Sequence, residues 1–170
     1  MKTIFVSGIH GVGKGTLCQE IKNRLNIESH SCSDLIKEYS NYIEKDKCVD
    51  NAEFNQLALL KGLQEITSPA ILLDGHFCLL GKDFQVINLE FKTFESISPN
   101  KVLLVTCDEL KVSDRIFNRD GKRIEVKALK ELQQSEKYRA QEFCNKNNIP
   151  LYEFVSEKSE LGSLIKWLTV

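Results

Sequence analysis

The chain has almost no net charge: 23 Lys and Arg stand against 24 Asp and Glu, leaving −1 at pH 7. So even a balance gives no general attraction for nucleic acid or an anionic membrane, and any anionic ligand must be held by a local cluster of cations. There is no basic stripe interleaved with aromatics, and the single tryptophan, Trp167, stands near the C-terminal end, so nucleic-acid recognition is not expected. No apolar run approaches a membrane span. The apolar start Thr3 to Val6 is too short for a signal sequence and runs into glycines, so the expectation is a cytoplasmic protein with no membrane partner. The six cysteines, Cys18, Cys32, Cys48, Cys78, Cys107 and Cys144, include no C-x-x-C pair. That spacing argues against metal ligation and a disulfide framework, and for buried free thiols in a reducing compartment.

Arginine is scarce as well, and unevenly spread. Of five, Arg115, Arg119, Arg123 and Arg139 fall in one stretch and only Arg24 lies elsewhere. The three prolines, Pro69, Pro99 and Pro150, are equally informative, because each stands at or just before an apolar β-rich run, where it ends a helix without breaking a ladder. Five such runs occur: Thr3 to Ser7, Ile27 to Ser31, Ala70 to Asp74, Val102 to Cys107 and Pro150 to Phe154. Their continuous apolar character is that of strands buried on both faces. Segments of helical spacing lie between them, as with Leu161, Leu164, Ile165 and Leu168 in the last. The alternation predicts parallel strands joined by helical crossovers. At 170 residues and 42% hydrophobic, the chain is long enough for one domain, 1–170, with a real core. From Phe77 to Leu89, FCLL and QVINL flank the polar turn GKDF, which reads as a small hairpin inserted after the third strand.

The stretch KTIFVSGIHGVGKGT followed by LCQEIKNRL is a strand, a glycine-rich loop with one lysine, and an amphipathic helix. In that context the loop is a phosphate cradle: glycines let backbone N–H groups close round an anion, the helix N-terminus adds partial positive charge and Lys14 a full one. Candidate nucleotide-binding residues are therefore Gly8, Gly11, Val12, Gly13, Lys14, Gly15 and Thr16, with ATP or GTP as donor. Thr16 is placed to bring a hydroxyl towards the phosphates and Mg2+. The third strand ends at Asp74, a carboxylate suited to order a hydrated Mg2+ beside the first strand.

The GKGT ending resembles the phosphate loop of adenylate kinases and related nucleoside monophosphate kinases. Ser31-Cys32-Ser33-Asp34-Leu35-Ile36-Lys37 is similar to the segment opening their monophosphate-binding helix, so the resemblance implies acceptor contacts from Ser33, Asp34 and Lys37. Their usual arginine is here Lys37, which keeps the charge and loses the bidentate fork. Read without the resemblance, Ser33 and Asp34 are an N-cap. After Asp74 and Gly75 the family's phosphate-binding arginine is replaced by His76, a pattern nearer to compact archaeal-type adenylate kinases and their ATPase-like relatives. His76 is a candidate to orient the acceptor or a water. CDELKVSDRIFNRDGKR is similar to the segment leading into the lid, and Arg115 and Arg119, four apart, should emerge on one helix face. The lid-like segment, Asp120 to Val126, is short and holds no cysteine.

Over nearly the whole chain, the resemblance implies a three-layer P-loop NTPase fold of class α/β, a five-stranded parallel sheet flanked by helices, with flaps near Asp34 to Gln64 and Asp120 to Val126. It implies Mg2+-dependent phosphoryl transfer from ATP to a nucleoside monophosphate. Lys14 with Arg115 or Arg119 would hold the donor, Lys37 the acceptor, and Arg123 and Arg139 the group in flight. Two alternatives stay open: an ATPase or nucleotide switch acting on a protein partner through a water oriented by His76, and a small-molecule kinase with another acceptor.

Overall fold

The structure, a computed structural model, describes residues 1–43 and 51–170. Cys48 and part of the expected flap at 34–64 lie outside these residues. The chain runs β1 (Lys2–Ser7), α1 (Lys14–Leu25), β2 (Glu28–Ser31), α2 (Cys32–Tyr39), a short turn of 3-10 helix (Ser40–Tyr42) and α3 (Asn51–Glu65). It continues through β3 (Ala70–Asp74), β4 (Cys78–Leu80), β5 (Val86–Asn88), α4 (Phe91–Ile97), β6 (Lys101–Thr106), α5 (Glu109–Asp120), α6 (Val126–Asn147), β7 (Leu151–Val155) and α7 (Leu161–Thr169).

Five strands form one parallel sheet in the order β2-β3-β1-β6-β7, flanked by helices. The three central strands are the most apolar, and Val6, Ile71 to Leu73, Val102 and Leu103 are fully buried, as parallel strands covered on both faces should be. Pro69 and Pro150 sit where the sequence places them, each offering its carbonyl to a neighbouring strand, at Lys2 N (2.8 Å) and Val102 N (2.9 Å). The expected hairpin is present: β4 and β5 pair antiparallel, with Gly81 and Phe84 closing the turn.

β1 is flanked by β3 and β6: the chain moves from β1 outward to β2 on one side, then from β3 back past β1 to β6 on the other, so the strand order switches beside β1. Beyond the carboxyl end of such a strand a crevice opens, because no helix passes over that point. Register brings the chemistry to the same edge, with Val6 beside Asp74 and Ser31 beside Asp74 on the other flank. Two details differ from expectation. The cap of α2 is Ser31, whose hydroxyl accepts from Asp34 N at 3.5 Å, rather than Ser33 or Asp34; Ser33 instead bonds Ser31 Oγ at 2.8 Å. And α4 is a separate two-turn helix, buried through Phe94 and Ile97.

Gly75, directly after β3, lies against Phe5, whose ring is 1% exposed and meets Phe77 and Phe94 edge-on at 5.3 and 5.4 Å. A Cβ there would come within 2.7 Å of the Phe5 ring and 3.0 Å of Cys32 Sγ. Gly75→Ala should therefore cost roughly 1–3 kcal/mol by overpacking, lowering Tm by about 2–4 °C per kcal/mol for a chain of this size. A thermal melt checks it; an unchanged midpoint would mean that Phe5 is free to move.

Candidate active site

The loop between β1 and α1 is built by close approach. Gly8, at φ +145°, lies so near the Val105 carbonyl that an added Cβ would clash with its oxygen. Gly13, at φ +101°, is the residue before α1 and turns the chain into the helix, a left-handed conformation that costs glycine nothing. The first-turn N–H groups of α1 have no carbonyl partners within the helix, so its N-terminus faces the crevice as an anion site.

Lys14 is 6% exposed. Its ammonium donates to Gly8 O (2.7 Å) and Ile9 O (3.3 Å) and stands 3.5 Å from Asp74 Oδ1. Burial lowers its pKa, and the Asp74 and Glu136 carboxylates oppose that shift. Asp74 is raised by burial, with Lys14 pulling it back. His76 places Nδ1 2.7 Å from the same Gly8 carbonyl. Since a carbonyl only accepts, Nδ1 carries the proton and Nε2 is an acceptor. Burial first, then the nearby positive charge of Lys14 and His10, lowers the His76 pKa to about 3. The ring of His10 lies 4.3 Å from that of His76, and burial lowers its pKa too.

α5 supplies the arginines. Arg115 donates to Gly11 O at 3.1 Å and pairs with Glu157 in the loop after β7, which also pairs with Lys111. Arg119 is exposed and held in a two-pronged pair by the adjacent Asp120, both bonds 2.7 Å. The expected shared face exists: both guanidinium groups line one cleft of about 390 Å3 with Gly11, Gly13, Lys14, Gly15, Thr16 and Asp74. Gly8 and Val12 are buried behind that surface.

The other sequence candidates are not brought to the cleft wall. Arg123 lies over the Phe117 ring at 4.8 Å. Arg139 donates to Leu89 O at 2.6 Å and stacks on Phe91 at 3.7 Å, so its guanidinium fastens the end of the hairpin to α6 instead of reaching a phosphate. Ser33, Asp34 and Lys37 are exposed on α2, with Asp34 near enough for its charge to act on Asp74. Sequence reasoning passed over three residues. His10 lines the cleft, Glu157 anchors Arg115, and Glu136, 1% exposed on α6, bonds Gly8 N, Phe77 N and Cys78 N. His10 sits inside the loop motif and was within reach; Glu136 is one of many charged positions on α6, and Glu157 one of several in the turn after β7.

Hard oxygens at Thr16 and Asp74 beside a cationic loop suit Mg2+ shared with phosphates. Among the described residues, no group of three or more His, Cys, Asp or Glu is arranged to hold a metal alone, and no helix is long and apolar enough to cross a membrane.

A parallel sheet, a glycine loop with a buried lysine and two arginines across the cleft define a P-loop protein of the kinase type. A family model described as an AAA domain matches residues 7–133, and the chain belongs to that family. Over 87 residues it is 33% identical to a Methanocaldococcus jannaschii protein named "Putative adenylate kinase", a match covering 49% of each; the chain spans about half the length of this curated relative. Among solved structures, shikimate kinase from Acinetobacter baumannii superposes at TM-score 0.61 with 15% identity, over 99% of this chain and 91% of that one. A gluconokinase from Sinorhizobium meliloti gives 0.53 with 14% identity, over 97% and 87%. At these identities the likeness shows the shared fold.

His76 sets a pH signature. Its native pKa of about 3 lies below the ordinary 6.5, so an unfolded chain takes up a proton between these values while the native one does not. The contribution is full above pH 6.5 and is lost as pH falls towards 3. The urea midpoint should fall on acidification from pH 7 to 4.5, and less so in His76→Gln, which keeps an N–H for Gly8 O; parallel curves would contradict this.

Proposed function

We propose that the protein catalyses Mg2+-dependent transfer of the γ-phosphoryl group of ATP, or GTP, to a small-molecule acceptor, with a nucleoside monophosphate as the leading candidate. The observation that carries this reading is one cleft walled by Lys14, the glycine loop, Arg115, Arg119, Thr16 and Asp74. Phosphoryl transfer asks a protein for position and positive charge more than covalent chemistry. Lys14 and the loop N–H groups would hold the donor phosphates. Arg115, fixed by Gly11 O and Glu157, would face them from across the cleft. Arg119, tied only to its exposed neighbour Asp120, is the arginine able to swing onto the group in flight. A Mg2+ ion, held by Thr16 and through water by Asp74, would neutralise charge on the phosphate oxygens. Ser33, Asp34 and Lys37 on α2 form the acceptor side. The relative named as an adenylate kinase supports a nucleotide acceptor.

A second reading, ATP hydrolysis coupled to a protein partner, is favoured by His76: with Nδ1 on Gly8 O, its Nε2 is an acceptor able to orient a water. A third, a non-nucleotide acceptor, draws support from α2 and α3, whose described residues include no arginine to grip an acceptor phosphate.

Lys14→Ala should lower transfer by about 10²–10³ or more, as loss of a preorganised charge does, with unchanged circular dichroism; full activity in that variant would refute the mechanism. ADP release from Mg·ATP, measured with a panel of nucleoside monophosphates, other hydroxyl acceptors and no acceptor, separates the readings. Product from one monophosphate far above the acceptor-free rate supports the first, and equal ADP release without acceptor supports hydrolysis.

A further inference from the structure

Gly8 is held from both sides. Its N–H donates to Glu136 Oε1 at 3.0 Å, and its carbonyl accepts from Lys14 Nζ and His76 Nδ1, each at 2.7 Å. The same carboxylate takes Phe77 N on both oxygens at 2.9 Å and Cys78 N on Oε2 at 2.7 Å. One buried side chain thus gathers the entry to the phosphate loop and the backbone just after His76. Glu136 lies 128 residues from Gly8 and 59 from Phe77, so no local geometry explains the meeting. A carboxylate suits the position because every partner is a donor, and an ionised carboxyl has only acceptors to offer.

Neighbouring side chains on α6 repeat the pattern. Gln133, one turn earlier, accepts from Cys107 N (3.0 Å) and donates to Cys107 O (2.8 Å) just past β6. Arg139, one turn later, holds Leu89 O just past β5. Residues 133, 136 and 139, three apart, bind backbone just past β6, just past β1 and at the start of β4, and just past β5 respectively. α6 also begins immediately after the lid-like segment.

We propose that Glu136 is a positioning residue of the phosphate site, fixing Gly8 and the His76 turn in the one relative placement that lets the loop close on a nucleotide. It touches no substrate in this role. It acts through Gly8, whose carbonyl in turn holds Lys14 and His76, and it rests on the nucleotide-binding reading given above.

The test is calorimetric titration of Mg·ADP into the full chain, with amide hydrogen exchange on the same samples before nucleotide is added. Glu136→Gln keeps the volume and one acceptor oxygen while turning an NH2 group towards N–H donors. It should weaken Kd at least tenfold and speed exchange at Gly8, Phe77 and Cys78. Leu164→Ala, on the core-facing side of α7 and fully buried, serves as the control, losing thermal stability while leaving Kd within about twofold. Should Glu136→Gln fail to fold, Glu136→Asp retains the charge with one methylene less and should show the same two changes in smaller degree. A folded Glu136 variant with Kd within twofold of wild type overturns the positioning role alone. Equal weakening in Leu164→Ala also overturns it, by showing a general loss of stability. A wild-type chain that binds no nucleotide overturns both this role and the reading of the site.

Discussion

A buried ammonium has to be matched by oxygen, and the carboxyl ends of the central strands are arranged to match one. Lys14 is carried into the crevice by the first turn of α1 and meets the Gly8 and Ile9 carbonyls after β1 and the Asp74 carboxylate at the end of β3. Isolated, such a charge would shift its pKa or stay in water. Here the opposing carboxylates limit the shift that burial imposes. The glycine loop, the switch in strand order beside β1 and the neutral His76 are all consistent with that arrangement: each places an oxygen near the ammonium or keeps further positive charge away.

The arginines sit in a looser regime. Arg115 is half-buried and doubly held, by a backbone carbonyl and by Glu157, whereas Arg119 is exposed and tied to the residue beside it. Surface pairs of the latter kind contribute little and break readily. The cleft therefore has a rigid wall made of the loop and Arg115, and an adjustable one at the end of α5. That division suits chemistry in which a donor is first fixed and then covered.

Much of this was legible in the sequence, for physical reasons. Strands buried on both faces have to be apolar throughout, so β1, β3 and β6 declared themselves within a residue or so of their ends, and prolines marked where β3, β6 and β7 begin. The loop was legible because close backbone approach demands glycine at fixed places. Arg115 and Arg119 followed from helical spacing. Arg139 did not, since spacing says which face a residue occupies and nothing of the ring or carbonyl waiting there; Phe91 and Leu89 claim its guanidinium. Glu136 was invisible for a related reason. In QQSEKYRAQ it is one of three charged residues among polar ones, and its burial depends on backbone more than fifty residues away.

The reach of Glu136 also bears on the order in which the chain can acquire its competence. The glycine loop leaves the ribosome before the other four strands of the sheet, yet the carboxylate that grips Gly8 emerges 128 residues later. Contacts so distant in sequence form late, because chain closure must precede them. A nascent chain can thus contain the whole phosphate-binding motif and still lack the clamp that sets its entry, so the motif is finished only when α6 docks over the ends of the sheet.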